Sequence, residues 1–483
     1  MKRFMTLTGL MLLVAATAMA GVGEDRLFVQ PNATFLTGAP STTNNDDSCD
    51  ISVQPSATLL LPYFEVEINE PRETAGDTNF TLVNTSPYPQ IAHITLWTEW
   101  SFPVIDFNIF LTGYDVPGIS LYDIIVREQI PPTSSSNGTA ANPRFGPRSF
   151  ANLNSNPIHT NGAQECTSLP GPIPQDLALA VRSALSTGVY AGFGCDTAVG
   201  GNHPNIATGY ATIDVARICG TSLPTEATYY QNEIAFANVL TGDYMYINPD
   251  ATTGNFAGAT PLVHIRAIPE GEFSNAYVDS NLPFTFYDRY TDYIGTPGRD
   301  VDRRQPLPGT FAARYLAAGT AFDTEFNIWR EGVTGPTTCD GSANDAFFNS
   351  RIDFTEYVRF DESENPTTRG GSTIISPPPP DASTNEAFSQ NVNSSLFPID
   401  FAGTADNGGW MYLNLNNPDG SAAYSTARTR SQNWVTVNMS AEGRYSVLFD
   451  ATMLGNGCSI NPGVTSAANR IGPLPNVTPA TIP

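Results

Sequence analysis

The stretch NWVTVNMSAEGRYSVLFD, residues 433–450, decides the fold class. Val435, Val437 and Met439 alternate with Trp434, Thr436 and Asn438; Tyr445, Val447 and Phe449 alternate with Ser446, Leu448 and Asp450. A period of two places successive side chains on opposite faces of an extended chain, whereas an amphipathic helix repeats every three to four residues. Ser440-Ala441-Glu442-Gly443 separates the two runs and suits a short turn. The spacing therefore predicts an antiparallel hairpin of half-buried strands with its apolar face inward. Just upstream, Met411, Leu413 and Leu415 alternate with Tyr412, Asn414 and Asn416 in the same manner.

The same signal recurs towards the N-terminus. Phe64, Val66 and Ile68 alternate with Glu65 and Glu67, which places the two glutamates on a solvent face. Phe80–Val83, Ile91–Trp100 and Phe107–Thr112 read as strands, as do Gly209–Val215, Leu262–Ile268, Phe284–Tyr290, Phe326–Arg330 and Glu356–Phe360. One helix is expected over 175–187: Pro174 opens it, Gly188 closes it, and Leu177, Val181, Ala184 and Leu185 form one stripe. Phe311 and Tyr315, one helical turn apart, suggest a second short helix over Phe311–Ala318. Residues 131–165 and 363–395, the latter containing Pro377–Pro380, read as long loops. The chain thus divides into a leader (21–50), an N-terminal β block (51–130), a central β-rich region with the helix (166–362), a C-terminal β region (396–460) and a tail (461–483).

Composition bounds the partners. Of 483 residues 14% are charged, against roughly 25% in typical soluble domains, while 41% are hydrophobic and can fill real cores. A net charge of −24 repels phosphate, which excludes nucleic acid as a partner. Lys2 and Arg3, the apolar run Leu10–Ala16 and the small-x-small site Ala18-Met19-Ala20 have the form of a secretory signal over residues 1–20. No later run is apolar and long enough for a transmembrane helix in the mature chain. The expected destination is the periplasm, the cell surface or the extracellular space. An even set of six cysteines, Cys49, Cys166, Cys195, Cys219, Cys339 and Cys458, fits three disulfides in an exported chain, with fifteen pairings open. No CxxC or CxH spacing points to zinc.

Chemistry-bearing motifs are sparse. There is no G-x-S-x-G, H-E-x-x-H, P-loop or dinucleotide fingerprint, and the histidines number four. His93, Trp97 and Glu99 share one strand face that could meet a ligand; the alternative is a core histidine satisfied by hydrogen bonds. His264 and Arg266 share another face and suit a surface or interdomain pair. Asp300 and Asp302, beside Arg303 and Arg304, could hold Ca²⁺, the one cofactor considered, or form a structural salt-bridge cluster. Asn84, Asn393 and Asn438 stand in N-x-S/T acceptor sequences. Trp410 and Trp434 fall opposite the aliphatic stripes, where packing is the expected use.

FNIFLTGYDV (107–116), RRQPLPGTFAARY (303–315) and GRYSVLFDATMLGNGC (443–458) resemble segments of a set of exported bacterial proteins to which no function is attached. The resemblance implies bacterial export and carries no active-site residues. Together these readings predict a mainly β protein of antiparallel, β-sandwich-like sheets, with one or two short helices and long loops. The expected role is a secreted or surface-associated structural, adhesive or ligand-binding protein without catalysis, its partner a carbohydrate or a cell-surface protein. The alternative is a secreted carboxylate-dependent hydrolase acting on polysaccharide.

Overall fold

The computed structural model describes residues 51–88, 90–99, 102–130, 172–190, 193–194, 203–216, 229, 233–235, 237–249, 258–266, 307–316, 322–330, 356–364, 366–367, 387–392, 408–415, 433–441 and 445–454. Residues 1–20, all six cysteines, Asp300 and Asp302, the 284–290 segment, Asn393 and Pro377–Pro380 lie outside these residues.

The chain is mainly β, as the alternation predicts, and its strands are antiparallel. The first half holds β1 (Thr58–Glu67), β2 (Asp77–Asn84), β3 (Gln90–Trp97), β4 (Pro103–Leu111), β5 (Gly118–Ser120), β6 (Val189–Tyr190), β7 (Phe193–Gly194), β8 (Ile206–Ala216), β9 (Leu240–Ile247), β10 (Thr260–Pro261) and β11 (Val263–Ile265). Among the described residues, α1 (Leu121–Ile125) and α2 (Gln175–Thr187) lie between β5 and β6. A five-stranded sheet, β11-β1-β8-β3-β4, faces a four-stranded sheet, β10-β9-β2-β5. The core between them holds Leu61, Phe64, Phe80, Leu82, Ile94, Ile213 and Tyr244, with Val181, Ala184 and Leu185 of α2 joining it.

The second half repeats this plan. It comprises β12 (Thr310–Leu316), β13 (Asp323–Arg330), β14 (Glu356–Asp361), β15 (Pro366–Thr367), β16 (Ala387–Asn391), β17 (Gly408–Asn414), β18 (Asn433–Ala441), β19 (Tyr445–Asp450) and β20 (Thr452–Met453). The five-stranded order is β15-β14-β17-β12-β20 and the four-stranded order β16-β13-β18-β19. Phe311, Tyr315, Met411 and Leu413 from the first of these sheets and Phe326, Ile328, Val435 and Val437 from the second share one core. That core also contains Leu60, Trp97, Tyr210 and Ile265 of the N-terminal five-stranded sheet, which is therefore buried on both faces.

Three local expectations change. Within the 311–318 segment, residues up to Leu316 belong to strand β12, not to a helix. Phe311 and Tyr315 lie four apart, which suits a helical turn, but Ala313 between them is buried on the same face while Arg314 is exposed. Pairing with β17 on one side and β20 on the other fixes the extended form. Strands β18 and β19 pair antiparallel as expected, yet the first half of β18 is not half-buried: Trp434 and Thr436 are as enclosed as Val435 and Val437, because the opposite face meets more protein. In β19 it is Leu448 that is buried, and Val447, at the sheet edge, is 52% exposed.

The expected helix is present over Gln175–Thr187, with Gly188 in the left-handed region at φ 68° closing it. Helix α1 went unforeseen. The Ser120 hydroxyl accepts from the Asp123 amide at 3.1 Å, and buried Asp77 accepts from the Tyr122 amide at 2.9 Å, so two of the amides at its start are satisfied.

Close backbone approach fixes Gly209 on β8. A Cβ there would stand 2.1 Å from the Trp97 carbonyl oxygen, a distance no carbon tolerates. Gly118 on the edge strand β5 has open space at the same position. Gly209→Ala is expected to lower unfolding stability by roughly 2–4 kcal/mol, against about 0.5 kcal/mol or less for Gly118→Ala. Urea denaturation midpoints of the two variants check this.

Candidate functional site

The site grows from an irregularity in β1. Leu61 pairs with Ala211 but Phe64 with Gly209, so one extra residue is inserted at Pro62-Tyr63. Such a bulge re-aims the side chains that follow it. Phe64 and Val66 stay in the N-terminal core, while Tyr63 joins the core shared with the C-terminal half. Glu65 and Glu67 then line a crevice of about 320 Å³ between the two sandwiches. The backbone around them is held by β2: the Glu65 amide donates to the Thr78 hydroxyl at 3.1 Å, that hydroxyl donates to the Glu65 carbonyl at 2.8 Å, and the Glu67 amide donates to the Gly76 carbonyl at 2.9 Å.

The opposite wall belongs to β13 and β18. Asp323 and Glu325 face the crevice with Asn438, Ser440 and Ser446, and Tyr246 and Asn248 of the β9 region close one side. Asn438 donates to the Glu325 carboxylate at 3.4 Å and leaves its own Oδ1 without a hydrogen-bond partner. Tyrosines bolt the crevice floor: Tyr246 donates to the Tyr63 carbonyl at 3.0 Å and receives from Asn327 at 3.2 Å, and Tyr244 meets the Thr436 hydroxyl at 3.2 Å.

These carboxyls are poorly hydrated and face one another. Glu65 remains open to solvent along the crevice, yet protein hems it in so closely that lost hydration, then the charge of Glu325, then that of Glu67, pushes it up to about 7. Glu325 is raised by burial first and by Asp323 second, against a lowering by Asn438. Asp77, at the crevice edge, is raised by burial in spite of its bonds to Ser120 and Tyr122 and the nearby Arg72 guanidinium. Nearby, burial lifts Asp450 to about 6, offset in part by the Trp434 indole at 3.0 Å.

The sequence candidates sit elsewhere. His93 lies midway along β3, Trp97 at its end and Glu99 just beyond it, and they are 2%, 0% and 4% exposed. His93 Nδ1 contacts the Asn108 carboxamide oxygen at 3.1 Å, its Nε2 stands 3.8 Å from Asp106, and its ring leans on Tyr229. Tyr229 donates to Asp214 at 2.6 Å, and the Thr58 hydroxyl bonds the same carboxylate. Trp97 donates to Thr212 at 2.9 Å and stacks on Tyr210, whose ring meets Trp329 of β13 edge-on at 5.8 Å. The Glu99 carbonyl accepts from the Ala387 amide of β16 at 3.0 Å. Alternation does not reveal that this end of the sheet is covered, Trp97 and Glu99 meeting the second sandwich. His264 and Arg266 part company: His264 is buried, with Nε2 accepting from the Gly242 amide at 3.2 Å, and Arg266 bonds Gln54. The two outward tryptophans are packed, Trp434 edge-on to Phe311 and Trp410 stacked on Phe360 at 4.0 Å.

Among the described residues no group of three or more His, Cys, Asp or Glu side chains is arranged to hold a metal ion, and the calcium candidates Asp300 and Asp302 lie outside them. No helix among the described residues is long and apolar enough to cross a membrane. A wider groove, about 520 Å³, runs along β2 and β5. Its charged residues Asp123 and Arg127 neutralise each other at 3.2 Å, so the crevice has the denser chemistry. No protein-family model matches the chain, and no curated protein or solved structure is significantly similar to it.

Two groups set opposite pH trends. Glu65 holds its proton more tightly folded than unfolded, so its contribution to stability is complete below about pH 4.5 and is lost as pH rises through about 7. Burial lowers His264 to about 4, so its contribution is complete above about 6.5 and is lost as pH falls through about 4. Across pH 4.5–6.5, Glu65→Gln should gain melting temperature relative to the parent as pH rises, and His264→Gln should fall progressively further below it. Thermal melts of the three proteins over that range check both slopes.

Proposed function

We propose that this chain is an exported, non-catalytic ligand-binding protein of the cell surface or extracellular space, with the crevice between its sandwiches as the ligand seat. One observation carries the reading: carboxylates from both halves, Glu65 and Glu67 on one wall and Asp323 and Glu325 on the other, converge on a single cleft with amide and hydroxyl groups. Such a set of acceptors, with Asn438 offering a further oxygen, suits the hydroxyl donors of a carbohydrate. Binding between two rigid sandwiches also suits recognition, because the walls come from strands rather than loops. The engagement of His93, Trp97 and His264 in internal contacts supports a non-catalytic role for them. Export rests on the form of residues 1–20 and on the six cysteines.

A specific observation favours the hydrolase as a second reading. A carboxyl poised near 7 beside a second carboxyl is what a general acid and its partner require for glycoside cleavage. In that reading Glu65 protonates the leaving oxygen and Glu325 serves as base or nucleophile.

The full chain, purified after export, separates the two on a glycan array combined with a polysaccharide hydrolysis screen at pH 5–8. Binding without turnover, weakened at least tenfold in Glu325→Gln, is the expected result. Turnover that falls away above pH 7 and vanishes in Glu65→Gln would install the hydrolase instead. Binding that neither variant alters would remove the crevice from the function.

A further inference from the structure

The carboxyls on the crevice walls are not held alike. Glu67 accepts from the Gly76 amide at 2.7 Å, Asp77 from the Ser120 hydroxyl at 2.7 Å and the Tyr122 amide at 2.9 Å, Asp323 from the Thr324 amide at 3.1 Å, and Glu325 from the Asn438 amide at 3.4 Å. Among the described residues no donor reaches the Glu65 carboxyl, and it opens to solvent along the crevice. Nor does any of them offset its charge. Its own strand presents Glu67 and Tyr63, β2 presents Asp77, β9 Tyr246, and β13 Asp323 and Glu325. From β18 and β19 come the neutral Asn438, Ser440 and Ser446, and from β8 the apolar Ile206. Burial pushes the Tyr63 and Tyr246 phenols well above their usual value, so both stay uncharged. Arg72, beside Asp77, is engaged by that carboxylate at 3.5 Å and by Asp123 at 3.7 Å.

A neutral sugar entering this crevice of about 320 Å³ displaces the water around Glu65 and brings no charge in exchange. A carboxylate would then lose its hydration while still facing Glu325. A carboxylic acid loses far less, and its O–H adds a donor to walls rich in acceptors, the buried Asn438 oxygen among them. We propose that the crevice takes up a neutral oligosaccharide together with one proton, carried by Glu65, and gives up both as pH rises. This rests on the crevice being the ligand seat and adds how that seat is controlled. Without ligand, lost hydration and then Glu325 hold Glu65 at about 7, and a bound sugar raises it further. Affinity is therefore level where Glu65 is protonated with or without sugar, and weakens by up to about tenfold per pH unit above about 7.

The test is calorimetric titration of the full chain, purified after export, with cellohexaose, chitohexaose and laminarihexaose. Titrations at pH 5.5, 6.5, 7.5 and 8.5 are run in paired buffers of unequal ionisation heat. At least one sugar should bind, with nearly the same Kd at pH 5.5 and 6.5 and a roughly fivefold or greater weakening from 7.5 to 8.5. The buffer dependence of the heat should show more than about half a proton taken up per sugar at pH 7.5–8.5 and close to none at 5.5. Glu65→Gln, which has the shape of the acid without its charge, should bind about tenfold more tightly than the parent at pH 8.5, with no proton uptake. Should that variant fail to fold, the heats of the parent still decide. A Kd indifferent to pH, or heats without proton uptake, overturns the proposal, and the crevice remains the seat if Glu325→Gln still weakens binding. Proton release on binding overturns it as well. No binding of any of the three sugars at any pH overturns both the proposal and the reading on which it rests.

Discussion

Tyr210 carries the contact on which the rest of the molecule depends. Its ring lies parallel to Trp97 within one sheet and meets Trp329 edge-on across the junction, at the centre of the core that the two sandwiches share. Offset and edge-to-face rings of this kind add specific geometry to the area they bury. Because the N-terminal five-stranded sheet is covered on both faces, its polar side chains must find partners inside the protein. Most do so in pairs and chains: Trp97 with Thr212, Thr58 and Tyr229 with Asp214, His93 with Asn108. The register of those strands is therefore specified twice, once by apolar packing and once by hydrogen bonds that a slip of one residue would break.

The glycine at 209 belongs to the same constraint. The Trp97 carbonyl approaches β8 so closely that no side chain fits, and this closeness accompanies the bulge that turns Glu65 towards the second sandwich. The crevice gathers the polar ends of β1, β13 and β18 against each other.

Strand identity was legible in the sequence wherever apolar residues alternated, as in 435–439 and 411–415, because the pleat translates directly into pattern. Helix α2 was legible from its stripe and from its bounding Pro174 and Gly188. Three things were not. Phe311 and Tyr315 satisfy both a helical and an extended spacing, and only pairing with β17 and β20 chooses between them. His93, Trp97 and Glu99 are all buried, and a sequence does not state what covers a face. Glu65 and Glu67 read as ordinary solvated residues, and Glu325 stood out in no pattern at all. The crevice joins positions some 260 residues apart, and no local signal spans that separation.

Asn84 carries one more consequence. It stands in an N-x-S/T acceptor sequence, yet the folded chain encloses it completely and uses both ends of its amide. Asn438, in another such sequence, lines the crevice. In a eukaryotic secretory host, oligosaccharide is transferred to the nascent chain before these strands close. A glycan at Asn84 would then have to be enclosed between two loops with no room for it, and one at Asn438 would plug the cleft. The choice of expression host is thereby a structural variable for this protein.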